Sequence, residues 1–237
     1  MSTTEIIRLN KFISNSGICN RRQADDYIIQ GRVTVNDILV NKLGSKVSVY
    51  DKVKLDGNEI SKKKLEYIVC NKPKGFLSKS SKINTKTIYS ILSKYKFSEF
   101  RSIDFLKKEY KGLILISNDM KFINKINLKK KSLNQIFHLK LNKNFLEKDF
   151  KLIKNFKDIE NLSIRSFNYV DGAEKNELGI ELFIETIKDL ERLFTKFNYK
   201  IISCDRVLFY NITKKDLKRG QWRNLTKQEF INFNNIK

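Results

Sequence analysis

The stretch Tyr67-Ile68-Val69-Cys70-Asn71-Lys72-Pro73-Lys74-Gly75 contains the chain's single proline and predicts a strand that ends in a sharp turn. Residues 67–70 are apolar and β-prone, whereas proline fixes φ and glycine permits a positive φ. Lys72 and Lys74 place one cation on each side of this rigid bend. We therefore expect the turn to meet phosphate and to border a functional cleft.

The composition indicates a globular protein that has a polyanionic partner. Of the 237 residues, 41% are hydrophobic, which is enough for one large domain or two smaller ones. Lys+Arg number 48 against 26 Asp+Glu, so the formal net charge is +22. This excess, interleaved with 17 Phe and 9 Tyr, favours nucleic acid as the partner. The chain is rich in Lys generally, so charge alone does not decide the function.

Cysteine and histidine usage argues against a metal site. Cys19, Cys70 and Cys204 are far apart in the sequence, and His138 is the only histidine. This spacing fits neither a zinc site nor a disulfide framework, and it is typical of a reducing cytosol. The sequence shows no signal-peptide core and no apolar run near the ~20 residues that span a bilayer. We expect a cytoplasmic monomer without metal or membrane contact.

The N-terminal region predicts a small module of two helices and short strands over residues 6–60. Apolar spacing favours a helix over residues 6–16 that ends at Gly17, and Asn20 can cap a second helix that stops at Gly31. A period of two begins at Val33, and Asp56-Gly57 is a hairpin signal. The polar residues 61–66 are predicted to form a linker.

From Tyr67 to residue 237 the pattern predicts a second, α+β domain with mainly antiparallel connections. The predicted strands are residues 67–70, 112–116, 136–141, 163–170 and 180–184. The predicted helices are residues 88–95, 120–127, 148–156, 188–197 and 227–232.

The first module resembles the small S4-type RNA-binding domain. The matching residues are Arg8-Leu-Asn-Lys11, Asn20-Arg-Arg-Gln-Ala24 and Ile29-Gln-Gly-Arg-Val-Thr-Val-Asn36. In that family, basic residues at fixed points on two helices and a β-turn form one concave face against RNA. The resemblance implies an RNA-binding face made of Arg8, Lys11, Arg21, Arg22 and Arg32.

The second domain resembles the pseudouridine synthases of the RsuA/RluB type, which modify ribosomal RNA and have such an N-terminal module. Segments in the family's order support the resemblance across nearly the whole chain. They are Asn71–Gly75, Gly112–Asp119, Lys188–Phe194, Asp205–Val207 and Leu217–Thr226.

The resemblance implies an isomerase that flips a uridine of ribosomal RNA into a pocket and needs no metal or cofactor. An aspartate assists cleavage of the N-glycosidic bond, and the uracil turns and bonds again through carbon. The implied substrate contacts are Lys72, Lys74, Phe137, Lys188 and Arg192. Phe137 stands where the family has a tyrosine that stacks on the base, and it keeps the aromatic face without the hydroxyl.

The chain departs from the family at the catalytic aspartate, and two registers are open. Without a gap before Gly112, Lys107 occupies the aspartate position. With a three-residue insertion, which a loop tolerates at low cost, Asp104 occupies that position. Under this second register, Asp104 is the catalytic carboxylate, paired with Lys188 or Arg192. In the family's Arg-rich helix, Glu191 replaces a basic residue.

Three functions fit this sequence. The first is an RNA pseudouridine synthase that acts on ribosomal RNA and uses Asp104. The second is a catalytically degenerate RNA-binding protein, such as a ribosome assembly factor, that keeps the synthase fold. The third, a general basic RNA chaperone, explains the charge but not the ordered segments.

Overall fold

The computed structural model describes residues 6–48, 50–60, 64–79, 86–92, 100–156, 158–160 and 162–236. The chain divides into two compact units, residues 1–64 and 65–237. The division falls within the predicted linker, of which residues 61–63 lie outside the described ranges.

The first unit packs two helices beside short antiparallel strands. Its elements are β1 (Ile6–Arg8), α1 (Leu9–Asn15), α2 (Arg21–Ile29), β2 (Val33–Val35), β3 (Ile38–Leu39), β4 (Lys46–Ser48), β5 (Val53–Leu55) and β6 (Asn58–Glu59). β1 pairs with β4, and the other strands form a sheet in the order β3-β2-β5-β6. Leu9, Ile13, Ala24 and Ile28 form the helical part of its core.

The N-terminal predictions hold with one correction. Residues 6–8 were predicted to be helical but form β1, because their backbone pairs with residues 46–48 of β4. The amide and side chain of Asn20 form a capping box with Gln23 at the start of α2. Asp56 and Gly57 have φ values of 50° and 77° and connect β5 to β6, which confirms the predicted hairpin.

The second unit is built on one large mixed sheet. Its elements are β7 (Tyr67–Lys72), α3 (Ile88–Ile91), β8 (Arg101–Ser102), β9 (Lys111–Ser117), α4 (Met120–Lys129), β10 (Asn134–Leu141), α5 (Glu147–Lys154), β11 (Ser163–Tyr169), β12 (Glu177–Phe183), α6 (Ile187–Lys196), β13 (Ile201–Phe209), β14 (Ile212–Thr213), β15 (Trp222–Asn224) and α7 (Lys227–Asn234). The main strand order is β11-β12-β10-β13-β9-β7-β15, with β14 beside β13 and β8 beside β9. Among the described strand pairs of this sheet, only β9 and β13 run parallel, which confirms the predicted mainly antiparallel α+β fold.

Strand β13 lies in the middle of the sheet, between β10 and β9, and the sequence did not predict it. Its buried Asp205 and Arg206 interrupt the apolar pattern by which strands are recognised. The close approach of β13 to β9 depends on Gly112, whose φ is 115°. A Cβ atom on Gly112 would lie 2.4 Å from the backbone nitrogen and oxygen of Arg206, so only glycine fits there.

Helix α6 shows how packing positions the candidate site. Its apolar residues recur at helical spacing and are buried in the core: Ile187, Leu190, Leu193 and Phe194. The same spacing places Lys188, Glu191 and Arg192 away from the core, with Lys188 and Arg192 exposed and Glu191 half-buried. The helix therefore presents a polar face of mixed charge beside the loop that precedes β9.

Candidate active site

The candidate site is an ion pair between the loop before β9 and helix α6. The Nζ atom of Lys107 lies 2.6 Å from Oε2 of Glu191. The hydroxyl of Tyr110 donates a hydrogen bond to Oε1 of the same carboxylate. Lys107 and Glu191 are half-exposed, with side-chain exposures of 36% and 24%. Each carboxylate oxygen thus has one protein donor, and the Glu191 side chain as a whole remains partly exposed to solvent.

Two depressions of about 680 and 430 Å³ meet at this pair. Lys107, Glu191 and Thr195 line both of them. The larger one is also lined by Glu109, Tyr110, Asn142, Lys200, Ile201 and Ile202. The smaller one is also lined by Lys188, Arg192 and Lys196. We call these two depressions together the cleft. Its volume suits a small ligand, and the four cations that it contains besides Lys107 suit phosphate groups.

Lys72 anchors the loop that lines the cleft and does not itself face the cleft. Its Nζ atom donates to the backbone carbonyls of Pro73, Lys107 and Tyr110 at 3.2, 2.9 and 2.5 Å. The residue is fully buried, and this burial lowers the pKa of its ammonium to about 8. The predicted substrate contact of Lys72 stays a prediction, because in this structure backbone oxygens enclose its ammonium.

The lysine-flanked turn is joined to the loop that lines the cleft. The amide of Gly75 donates to the carbonyl of Lys108 at 2.7 Å, which ties the turn to the loop. Lys74 is exposed beside it. Lys74 therefore remains a prediction as a substrate contact, whereas Lys72 has a structural role.

Asp104 belongs to a second, buried ion cluster. Its carboxylate accepts hydrogen bonds from Nη1 of Arg206 and forms an ion pair with Lys130. It also accepts the amide of Phe105 at 2.6 Å. Arg206 in turn donates to Oε1 of Gln135 at 3.0 Å and to the carbonyl of Leu113 at 2.8 Å. Asp104 lines neither depression of the cleft.

The charges around Asp104 keep it ionised inside the protein. Burial favours the neutral acid, but Arg206 and Lys130 outweigh burial and hold the pKa of Asp104 below its ordinary value. The side chain of Asp104 is only 6% exposed, and that of Arg206 only 1%. The predicted partners Lys188 and Arg192 are not its partners. Asp104 as the catalytic carboxylate stays a prediction, and in this structure its side chain is enclosed with Arg206 and Lys130.

Phe137 also differs from its prediction. It lies on β10 with 0% exposure and packs in the apolar core with Leu139, Ile180 and Phe194. A ring enclosed on all sides offers no face to a base, so this structure does not support its predicted stacking role. By contrast, Lys188 and Arg192 line the cleft as expected.

The predicted RNA-binding face lies on exposed positions of the first unit. Arg8, Lys11, Arg21, Arg22 and Arg32 are all exposed. Arg32 already has a partner, because its Nε and Nη2 donate to Asp56 at 2.9 and 2.6 Å. Its guanidinium also lies 4.4 Å from the ring centre of Tyr27. Arg32 is thus held in a fixed orientation before any ligand arrives.

Several residues of these clusters were not singled out from the sequence. Arg206 lies in a segment that carries the family resemblance, but nothing in the sequence paired it with Asp104. Lys130 was part of an ordinary run of lysines, and Tyr110 had no signal of its own. Glu191 was noticed only as a departure from the family's basic residue, and its contact with Lys107 is a tertiary fact.

Within the described ranges, no group of three or more His, Cys, Asp or Glu residues is arranged to hold a metal ion. The helices in those ranges are all too short or too polar to cross a membrane.

Residues 7–61 match the S4 domain. The dual-specificity RNA pseudouridine synthase RluF of Escherichia coli O157:H7 is 30% identical over 245 residues, which cover 95% of this chain and 77% of RluF. The chain belongs to the RNA pseudouridine synthase family. An uncharacterized member from Aquifex aeolicus is 29% identical and covers 94% of this chain and 92% of its own length. Ribosomal large subunit pseudouridine synthase B of Bacillus subtilis is 25% identical, covering 94% and 93%.

The fold of the family agrees with this membership. A crystal structure of a pseudouridylate synthase matches with a TM-score of 0.59 at 19% identity and covers 96% of this chain and 99% of its own. These matches confirm the predicted family, the fold class and the family's activity as an RNA-modifying isomerase with an S4 domain.

Proposed function

We propose that this family member isomerises a specific uridine of ribosomal RNA to pseudouridine in the cleft around Lys107 and Glu191. The observation that supports this most is the carboxylate–cation pair in the cleft, next to the exposed cations Lys188 and Arg192. A carboxylate can act on the sugar of a flipped uridine, and the cations can hold its phosphates. In this proposal the protein works as a cytoplasmic monomer without metal or cofactor.

The first unit binds the RNA in this proposal through its exposed basic face. Arg21 and Arg22 begin α2, so their side chains stand next to the helix N-terminus, which also favours phosphate. Replacing both with Gln should reduce the slope of log K against log salt by roughly 0.7–0.9 per lost contact. Asp26→Asn, on the same helix, is the matched control and should not reduce the slope. An unchanged slope in the double variant would remove this face from the interface.

The activity itself is tested by mapping pseudouridine in ribosomal RNA. RNA from cells with the gene is compared with RNA from a deletion strain and with deletion-strain RNA treated with the purified protein. A pseudouridine that disappears on deletion and returns on treatment supports the proposal. EDTA should leave the treatment effective, because the proposed chemistry uses no metal.

A second candidate function is RNA binding without isomerisation, as in a ribosome assembly factor. Lys107 favours it, because the ungapped register places this lysine where the resemblance expects the catalytic aspartate, and Lys107 is the residue that lines the cleft. Identical pseudouridine maps from the two strains, together with salt-dependent binding of ribosomal RNA, would favour this function over the isomerase.

A further inference from the structure

We propose that Glu191 supplies the reacting carboxylate and Lys107 its counter-cation, so that the two charges of the reacting pair have exchanged places in this chain. This inference rests on the proposed isomerase function. The family resemblance expects an acid at the position of Lys107 and a base at that of Glu191. The structure brings these two reversed residues into direct contact at 2.6 Å. The cleft therefore still contains one acidic and one basic residue, although each stands where the resemblance expects the other.

Accessibility selects Glu191 over Asp104. The side chain of Glu191 is 24% exposed and lines both depressions, whereas that of Asp104 is 6% exposed and lines neither. Asp104 is also committed to two cations and a backbone amide. A ligand in the cleft can reach Glu191 without disturbing the core.

The hydrogen bonds to Glu191 suit a group that must stay ionised and oriented. Lys107 donates to one oxygen and Tyr110 to the other, so the carboxylate plane is fixed from two sides. Burial and the bond to Glu191 both raise the pKa of the Tyr110 hydroxyl, which therefore stays protonated and remains a donor. A carboxylate oxygen has two lone pairs, so each oxygen keeps one for the substrate.

The step can be written with this residue and no further reactant. An oxygen of Glu191 forms a bond to C1′ of the ribose as the C1′–N1 bond breaks, and the electron pair leaves on N1 of the uracil. After the uracil turns, C5 attacks C1′ and the carboxylate leaves. The proton on C5 is then lost while N1 gains one. The product is an isomer of the substrate, and Glu191 is regenerated.

The test compares Glu191→Gln with wild type on ribosomal RNA from the deletion strain. The variant keeps the shape of the side chain but loses the charge and the nucleophilic oxygen. We expect at least about 100-fold slower pseudouridine formation, a loss typical of removing a group that takes part in the reaction. RNA affinity should stay within about twofold of the wild-type value. Glu174→Gln removes an exposed carboxylate that pairs with Lys140, away from the cleft, and should react at the wild-type rate.

A second variant reverses the exchange. Lys107→Asp combined with Glu191→Arg restores the order of charges that the resemblance expects, and it should keep measurable isomerisation while each single change abolishes it. An active wild type together with a fully active Glu191→Gln variant would overturn the inference and leave the proposed function standing. A wild type that forms no pseudouridine in any ribosomal RNA would overturn both.

Discussion

Two ion clusters on one loop have opposite surroundings. Asp104 and Lys107 are three residues apart. The hydroxyl of Ser78 holds the backbone of Leu106 between them. It donates to the carbonyl of Leu106 at 2.6 Å and accepts the amide of Leu106 at 3.1 Å. Asp104 points inward to Arg206, whereas Lys107 points to the cleft and Glu191. Burial thus marks the carboxylate of Asp104 as structural, whereas the accessible carboxylate of Glu191 is the one proposed to react.

The two clusters differ in how much each contributes to stability, because they differ in how much hydration their charges lose. Charges taken out of water cost several kcal/mol each, so a buried cluster is stable only when every charge has its partner. An accessible pair loses less hydration and contributes about 0–1 kcal/mol to stability. The buried cluster should therefore dominate stability, and the accessible pair should dominate any chemistry.

Asp104→Asn should have the largest effect on stability. It leaves Arg206 buried without a counter-charge, and removing one partner of a buried ion pair costs about 3–5 kcal/mol. Urea unfolding measures the loss. Replacing Asp104 with Leu and Arg206 with Met together should cost less than Asp104→Asn, since only Lys130, which is less buried than Arg206, then loses its counter-charge. A loss below about 1 kcal/mol for Asp104→Asn would show that the buried cluster contributes no more to stability than the accessible pair.

Gly112→Ala should have the next largest effect, because a Cβ atom there meets the backbone of Arg206 and φ is 115°. Backbone strain of this kind costs about 1–3 kcal/mol, and the clash would push β13 away from β9. Gly179→Ala in β12 is the matched control, since its Cβ would meet no atom within 4 Å. Equal thermal midpoints for the two variants would contradict the proposed close approach.

The loss of stability at low pH is a further test of the Asp104 cluster. The pKa of Asp104 in the folded protein lies below its ordinary value of 3.8, so the unfolded chain takes up this proton first as the pH falls. The stabilisation from ionised Asp104 is fully present above its ordinary pKa of 3.8. It is lost as the pH falls through the lower pKa of the folded protein. Each unit of difference is worth about 1.4 kcal/mol. Between pH 6 and 3, Asp104→Asn should lose stability less steeply than wild type, and parallel curves would refute this linkage.

Lys107→Gln should have the smallest effect on stability, within about 1 kcal/mol, because the pair that it breaks is half-exposed. The free energy of unfolding in urea is the measurement, and Lys140→Gln is a control that breaks another exposed pair. If Lys107→Gln destabilised the protein as much as Asp104→Asn, the cleft pair would be structural as well.

Local patterns allowed much of the fold to be predicted. The Asn20 cap, the Asp56-Gly57 hairpin and the polar turn after β7 depend on neighbouring residues, and local sequence determines such features. The strand β13 was missed because its ionised residues are satisfied by distant partners. Phe137 was assigned to the substrate because it stands where the resembled family has a tyrosine, and such a match does not say which side of a strand is covered.

The sequence by itself determined the two units, most of the helices and strands, the S4 domain and the family. It also placed Asp104 and Lys107 as alternatives at one position. Only the tertiary structure decided which of the two is buried and which is accessible, since the partners of Asp104 lie 26 and 102 residues away in the chain, at Lys130 and Arg206, and that of Lys107 lies 84 residues away, at Glu191. Whether a charge is buried or reachable is set by which distant segments cover it, and the local sequence contains no such information.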